Sequence, residues 1–133
     1  MADDPQDLLR LADEVAAATG PDTVLDAAIW VHLPEQAAHA WKHGGDKFKH
    51  ARQIAGCAFV PLYTASIDAA MTLVPAHDVG WRMDWSGRRA IVRIGFGGFP
   101  ETIEAWAATP ALALCAAALR ARAHSTKDTS NVG

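Results

Sequence analysis

The chain has 133 residues and a mass of 14.2 kDa, with half of its residues apolar and a fifth charged, which leaves room for one domain around one core and excludes a two-domain enzyme. A net charge of -3 and a pI near 6.0 exclude sequence-independent phosphate binding by the surface as a whole. Two cysteines, Cys57 and Cys115, are too few for a disulfide framework. The average charge hides a gradient. Residues 1–35 carry eight acids against Arg10 alone, while the remaining 98 carry eleven bases against seven acids. The bases cluster at Lys42, Lys47, Lys49 and Arg52, and again at Arg82, Arg88, Arg89 and Arg93. They read either as solvated faces or as a small anion-binding patch. The longest apolar run, Ala111 to Leu119, is far short of the roughly 20 residues that span a bilayer. No basic segment leads into an apolar stretch at the N-terminus. The expectation is a cytoplasmic protein with no membrane partner and no cofactor.

Asp4-Pro5 opens the first predicted helix, with Leu8, Leu11, Ala12, Val15 and Ala18 at helical spacing and Gly20 as its stop. Gly20-Pro21-Asp22 opens a second, carrying Leu25, Ala28 and Ile29 and ending near His32, because Pro34 disfavours helix in the residue before it. A short third helix fits residues 34–44. Residues 44–62 read as a connecting excursion with one short strand at Cys57 to Val60, within a variable stretch at 33–62. Tyr63 to Pro75 predicts a helix capped by Thr64 or Ser66, with Ile67, Ala70, Met71 and Val74 on one face.

The period then changes to two. Trp81, Met83 and Trp85 alternate with Arg82, Asp84 and Ser86, a turn follows at Ser86-Gly87, and Ala90, Val92, Ile94 and Phe96 form the returning strand. Gly95 to Pro100 is a second turn region, and a third strand runs from Glu101 to Ala107 with Ile103, Ala105 and Ala107 on one side. Ile91 and Trp106 fall opposite the main apolar sets, which calls for helices on both faces or for one exposed aromatic surface. Thr109-Pro110 starts a final helix over Ala111 to Ala123, and residues 125–133 read as a disordered tail after a single domain at 1–124. The expected class is therefore α+β, an α/β/α-type sandwich with a small antiparallel sheet of three strands and a late α-β-β-β-α order.

Four segments together carry a resemblance. They are Gly20-Pro21-Asp22 with Leu25-Asp26-Ala27-Ala28-Ile29, the stretch Tyr63 to Pro75, the Trp81 strand, and Ala108 to Arg120. In these the chain resembles the phage ABA-sandwich domain family, with residues 33–60 and 87–100 outside the likeness. The resemblance implies an α/β/α layered domain and a phage or prophage setting. It implies no activity, so no functional residue is carried over.

Candidate chemistry is sparse. His39 and His43, four apart on the short third helix, with His50 and Cys57 each seven further on, are the weak candidates for a metal site. No Cys-x-x-Cys or His-Glu-x-x-His pattern supports them, and the alternative is exposed histidines in a connection. Ser66, His77 and Asp78 are residue types of a hydrolase, but no Gly-x-Ser-x-Gly elbow surrounds Ser66, which also suits a helix cap. Gly95, Gly97 and Gly98 follow a strand as a phosphate loop would, yet Pro100 and a following strand fit a plain turn. The remaining signal is Trp81 and Trp85 with Arg82, Arg88 and Arg89, an aromatic and guanidinium set that suits a nucleotide or nucleic acid, or else tryptophans buried between layers. There are 28 alanines and five tryptophans. Small residues on most of the last helix point to a central position or to a subunit contact, hence a homo-oligomer. The expectation is a non-enzymatic accessory protein that binds a host or phage protein or itself, with nucleotide or nucleic-acid binding as the alternative.

Overall fold

The computed structural model describes residues 5–33, 47–74, 79–96 and 102–132. Its elements are α1 (Pro5–Ala17), α2 (Thr23–Val31), α3 (Lys47–Ile54), α4 (Ile67–Met71), β1 (Val79–Ser86), β2 (Arg89–Phe96), β3 (Thr102–Ala107) and α5 (Pro110–Val132). The class is mixed α+β, with a three-stranded antiparallel sheet, flanking helices and a late α-β-β-β-α order. The short helix expected at 34–44, the loop around His77 and Asp78, and the glycines at 97 and 98 lie outside the described residues.

Each helix begins where the local chemistry allows. Asp22 Oδ1 accepts from the amides of Val24 and Leu25 at 2.8 and 3.1 Å and so caps α2. Ser66 caps α4 by accepting from the Ala69 amide. Thr109 Oγ1 accepts from Leu112 N at the start of α5, with Pro110 as its first residue. In α1, Leu8, Leu11, Ala12 and Val15 form the buried stripe that the spacing predicts.

The sheet is a meander in the order β1-β2-β3. Gly87, at φ +64°, takes the left-handed conformation in the two-residue loop that joins β1 to β2. Trp85, Met83 and Trp81 stand opposite Ala90, Val92 and Ile94, which in turn oppose Ala107, Ala105 and Ile103. That face receives the helices, with α5 on β2 and β3 and α1 touching β3. The strongest helix pairing is between α1 and α5. Every residue from Ala111 to Leu119 is buried, because α1, the sheet and α4 cover different sides of α5. Its alanines let three neighbours approach closely, while Leu112, Leu114 and Leu119 fill the volume, each contributing about 1.5–3 kcal/mol through burial.

Three expectations are corrected. Residues 47–54 form α3, where the sequence was read as a connection: Ala51 and Ile54, three apart, are buried on the side that packs against α2, and lysine, arginine and glutamine favour helix elsewhere. Gly56 at φ +83° ends it with the Cys57 amide bonded to Ile54 O, and Cys57 to Val60 make turns in place of a strand. The helix expected at 63–75 shrinks to Ile67–Met71, and Ala70 and Leu73 are its buried contacts while Ile67 and Met71 are exposed. Apart from these, the last helix extends to Val132, since no glycine or proline interrupts it before Gly133. Arg120 and Arg122 thereby fall in mid-helix, where they serve tertiary contacts in place of the C-terminal carbonyls.

Candidate functional site

Strand alternation divides the candidate residues between two faces. Trp85 is opposite Ala90 on the helix side of the sheet, yet it is 60% exposed, whereas Met83 on the same face of β1 packs against the core. Trp81, whose backbone alone is described, occupies the position opposite Ile94. Arg82 is opposite Arg93, and Arg89 is opposite Ser86, both on the outer face. Arg88 is exposed in the hairpin loop. The structure thus brings Arg82 and Arg89 to one face with Arg88 at the tip, and puts Trp85 on the other.

The outer face holds a residue that sequence reading did not select. Trp106, 40% exposed, lies directly across from buried Ile91. Its indole donates to Glu104 Oε1 at 2.5 Å, and Arg93 Nε donates to Glu104 Oε2 at 2.8 Å. These two bonds, the indole first, hold the Glu104 carboxyl below the usual range. Asp84 Oδ2 lies 3.1 Å from Arg82 Nε and 3.6 Å from Arg93 Nη1. The result is a ladder of alternating charge, Arg82, Asp84, Arg93, Glu104, across all three strands. The signal for Trp106 was its parity, opposite to Ile103 and Ala105; its tie to Glu104 needed the two-residue spacing to be read as a side-chain pair.

The buried polar groups form a second cluster. Asp26 Oδ1 accepts from both the amide and the hydroxyl of Thr64, each at 2.7 Å. Thr64 Oγ1 in turn accepts from the Asp22 amide at 2.9 Å. Burial raises the Asp26 carboxyl above its ordinary value, opposed by the two Thr64 bonds. Next to this tie, Cys115 Sγ donates to Tyr63 O at 3.0 Å, and burial, with the nearby Asp26 charge as the lesser cause, pushes its thiol far up. A thiol held protonated in this way is no nucleophile. Buried His32 is anchored by Nδ1 to Ala28 O at 2.6 Å. The bonds of Asp26, Thr64 and Cys115 fasten α2, the 63–66 turn and α5 to one another.

Among the described residues no enzymatic candidates are brought together. Ser66 is occupied as the α4 cap, while His77 and Asp78 lie outside the described residues. His39 and His43, the metal candidates, also lie outside them, and no cluster of three or more metal-ligating side chains occurs among the described residues. No described helix is long and apolar enough to cross a membrane. No family model matches the chain, and no curated protein or solved structure matches it.

Proposed function

We propose that the chain is a phage- or prophage-derived accessory protein that acts by binding, through its sheet, a protein partner or another copy of itself, and not by catalysis. The observation that carries this reading is the incompletely covered sheet. Helices pack on one face over β2 and β3, leaving Trp85 of β1 and, on the outer face, the charge ladder with Trp106 exposed. Exposed tryptophan framed by charge is the composition of a recognition surface, where a large amphipathic ring supplies most of the affinity. The phage setting is supported by the four segments that resemble the ABA-sandwich domains.

One observation favours the alternative of a nucleotide or nucleic acid. Arg88 and Arg89 are exposed at the hairpin tip and have no ion-pair partner among the described residues. Against it, Arg82 and Arg93 are already neutralised by Asp84 and Glu104, and Trp85 and Trp106 face opposite ways. Amide hydrogen exchange on the full chain separates the two. Slowed exchange in β1 or β3 as protein concentration rises, or on adding a purified candidate partner protein, supports the proposal. Slowed exchange around residues 86–90 with nucleotides or short oligonucleotides, accompanied by tryptophan quenching, replaces it with the alternative.

A further inference from the structure

β1 is a sheet edge whose charges, Arg82 and Asp84, are of opposite sign and so do not by themselves repel a second copy of the strand. It pairs residue for residue with β2 with no bulge, and it contains neither proline nor lysine. Among the described residues, its backbone bonds to nothing outside β2. A two-residue hairpin closes on a pair that exchanges both hydrogen bonds, so Ser86, Asp84 and Arg82 turn their backbone groups toward β2. Trp85, Met83 and Trp81 therefore turn theirs outward. The opposite edge is treated differently. By the same alternation Glu104 turns its carbonyl away from β2, and there Arg120 Nη1 donates to it at 3.0 Å, occupying an acceptor that an added strand would need.

We propose that β1 pairs with β1 of a second copy, antiparallel about a two-fold axis through Met83, joining two three-stranded sheets into one of six strands. This rests on the reading that the chain binds through its sheet, and it names the partner. The register follows from charge. With the axis at Met83, Arg82 faces Asp84 of the partner subunit, and Asp84 faces the partner's Arg82. Both pairs sit at positions without backbone bonds, where opposed side chains come closest. Moving the axis by one residue sets Arg82 against the partner's Arg82, or Asp84 against the partner's Asp84, so the neighbouring registers oppose like charges. Arg82 is free to make the exchange, since its side chain is 75% exposed and its present bond to Asp84 lies on the same outer face. The axis at Met83 also sets Trp85 across from the register position of Trp81 of the partner subunit.

Sedimentation of the full chain from micromolar to hundreds of micromolar concentrations tests the inference, with circular dichroism to verify that each variant is folded. Wild type is expected to form a dimer. Arg82→Glu and Asp84→Arg each turn two attractions into two repulsions and weaken it by about tenfold or more, while the double variant regains the wild-type affinity to within about threefold. In a Cys57→Ser background, Met83→Cys oxidises to a linked dimer and Trp85→Cys does not, because only Met83 meets its own copy. A wild type that stays monomeric throughout overturns the inference and leaves a foreign protein partner as the form of the functional reading. A dimer indifferent to both charge reversals, or one linked as readily through Trp85→Cys, overturns the β1 pairing.

Discussion

Replacing Thr64 by valine keeps its shape and removes one buried hydroxyl, and the structure fixes what that costs. The hydroxyl donates to the Asp26 carboxylate at 2.7 Å and accepts from the Asp22 amide at 2.9 Å. A hydrogen bond to a charged group contributes about 1.5–3 kcal/mol and one between neutral groups about 0.5–1.5 kcal/mol, so Thr64→Val should destabilise the fold by about 2–4 kcal/mol. With a urea dependence of about 2 kcal/mol per molar, the middle of the usual range, the unfolding midpoint at pH 7 falls by about 1–2 M. Thr64→Ser keeps the hydroxyl and loses a methyl group, and should cost about 1 kcal/mol. A loss below about 0.5 kcal/mol for the valine variant would refute the reasoning, since it would mean that water replaces the hydroxyl and that the α2 tie carries no tertiary stability.

Three further outcomes follow. Burial places the folded Asp26 carboxyl above its unfolded value of 3.8, so protonation favours the fold; this contribution is complete below pH 3.8 and disappears as pH rises through the folded value. Asp26→Asn should remove that part of the decline in stability with pH, seen as a flatter plot of urea midpoint above pH 4. Of the two thiols, exposed Cys57 should react with a thiol reagent in the native protein, whereas Cys115 should react only after unfolding. Ala116→Leu, inserted where α5 is covered on all sides, should cost about 1–3 kcal/mol by overpacking and lower the melting temperature accordingly.

The sheet and its neighbours were readable because their signals are local. Alternation in Trp81 to Trp85 and Ala90 to Ile94, the Ser86-Gly87 turn and the Thr109-Pro110 start all act within a few residues. α3 was missed because only Ala51 and Ile54 mark its buried side, and their worth depends on α2 being there to receive them. Thr64 was read as a cap because a threonine near a helix start usually is one; its real partner is 38 positions away. The candidate set of Trp81, Trp85, Arg82, Arg88 and Arg89 was found as a cluster in sequence, but the pleat separates its members by face. Arg82 is neutralised by Asp84 two residues along its own strand, a pair that the alternation allowed, whereas the tie of neighbouring Arg93 to Glu104 comes from another strand that no spacing within β1 and β2 could reveal.

The bond between Arg120 and Asp13 spans 107 positions of the chain, and it marks where the helices α1 and α5 meet. Such a contact has no local nucleus and carries a large loop-closure cost. During synthesis, α1 leaves the ribosome with its apolar stripe long before α5 exists to cover it, and the inner face of the sheet must wait as well. The core can close only after the segment beyond Ala108 has emerged. Until then the apolar stripe of α1 stays uncovered and open to non-native association.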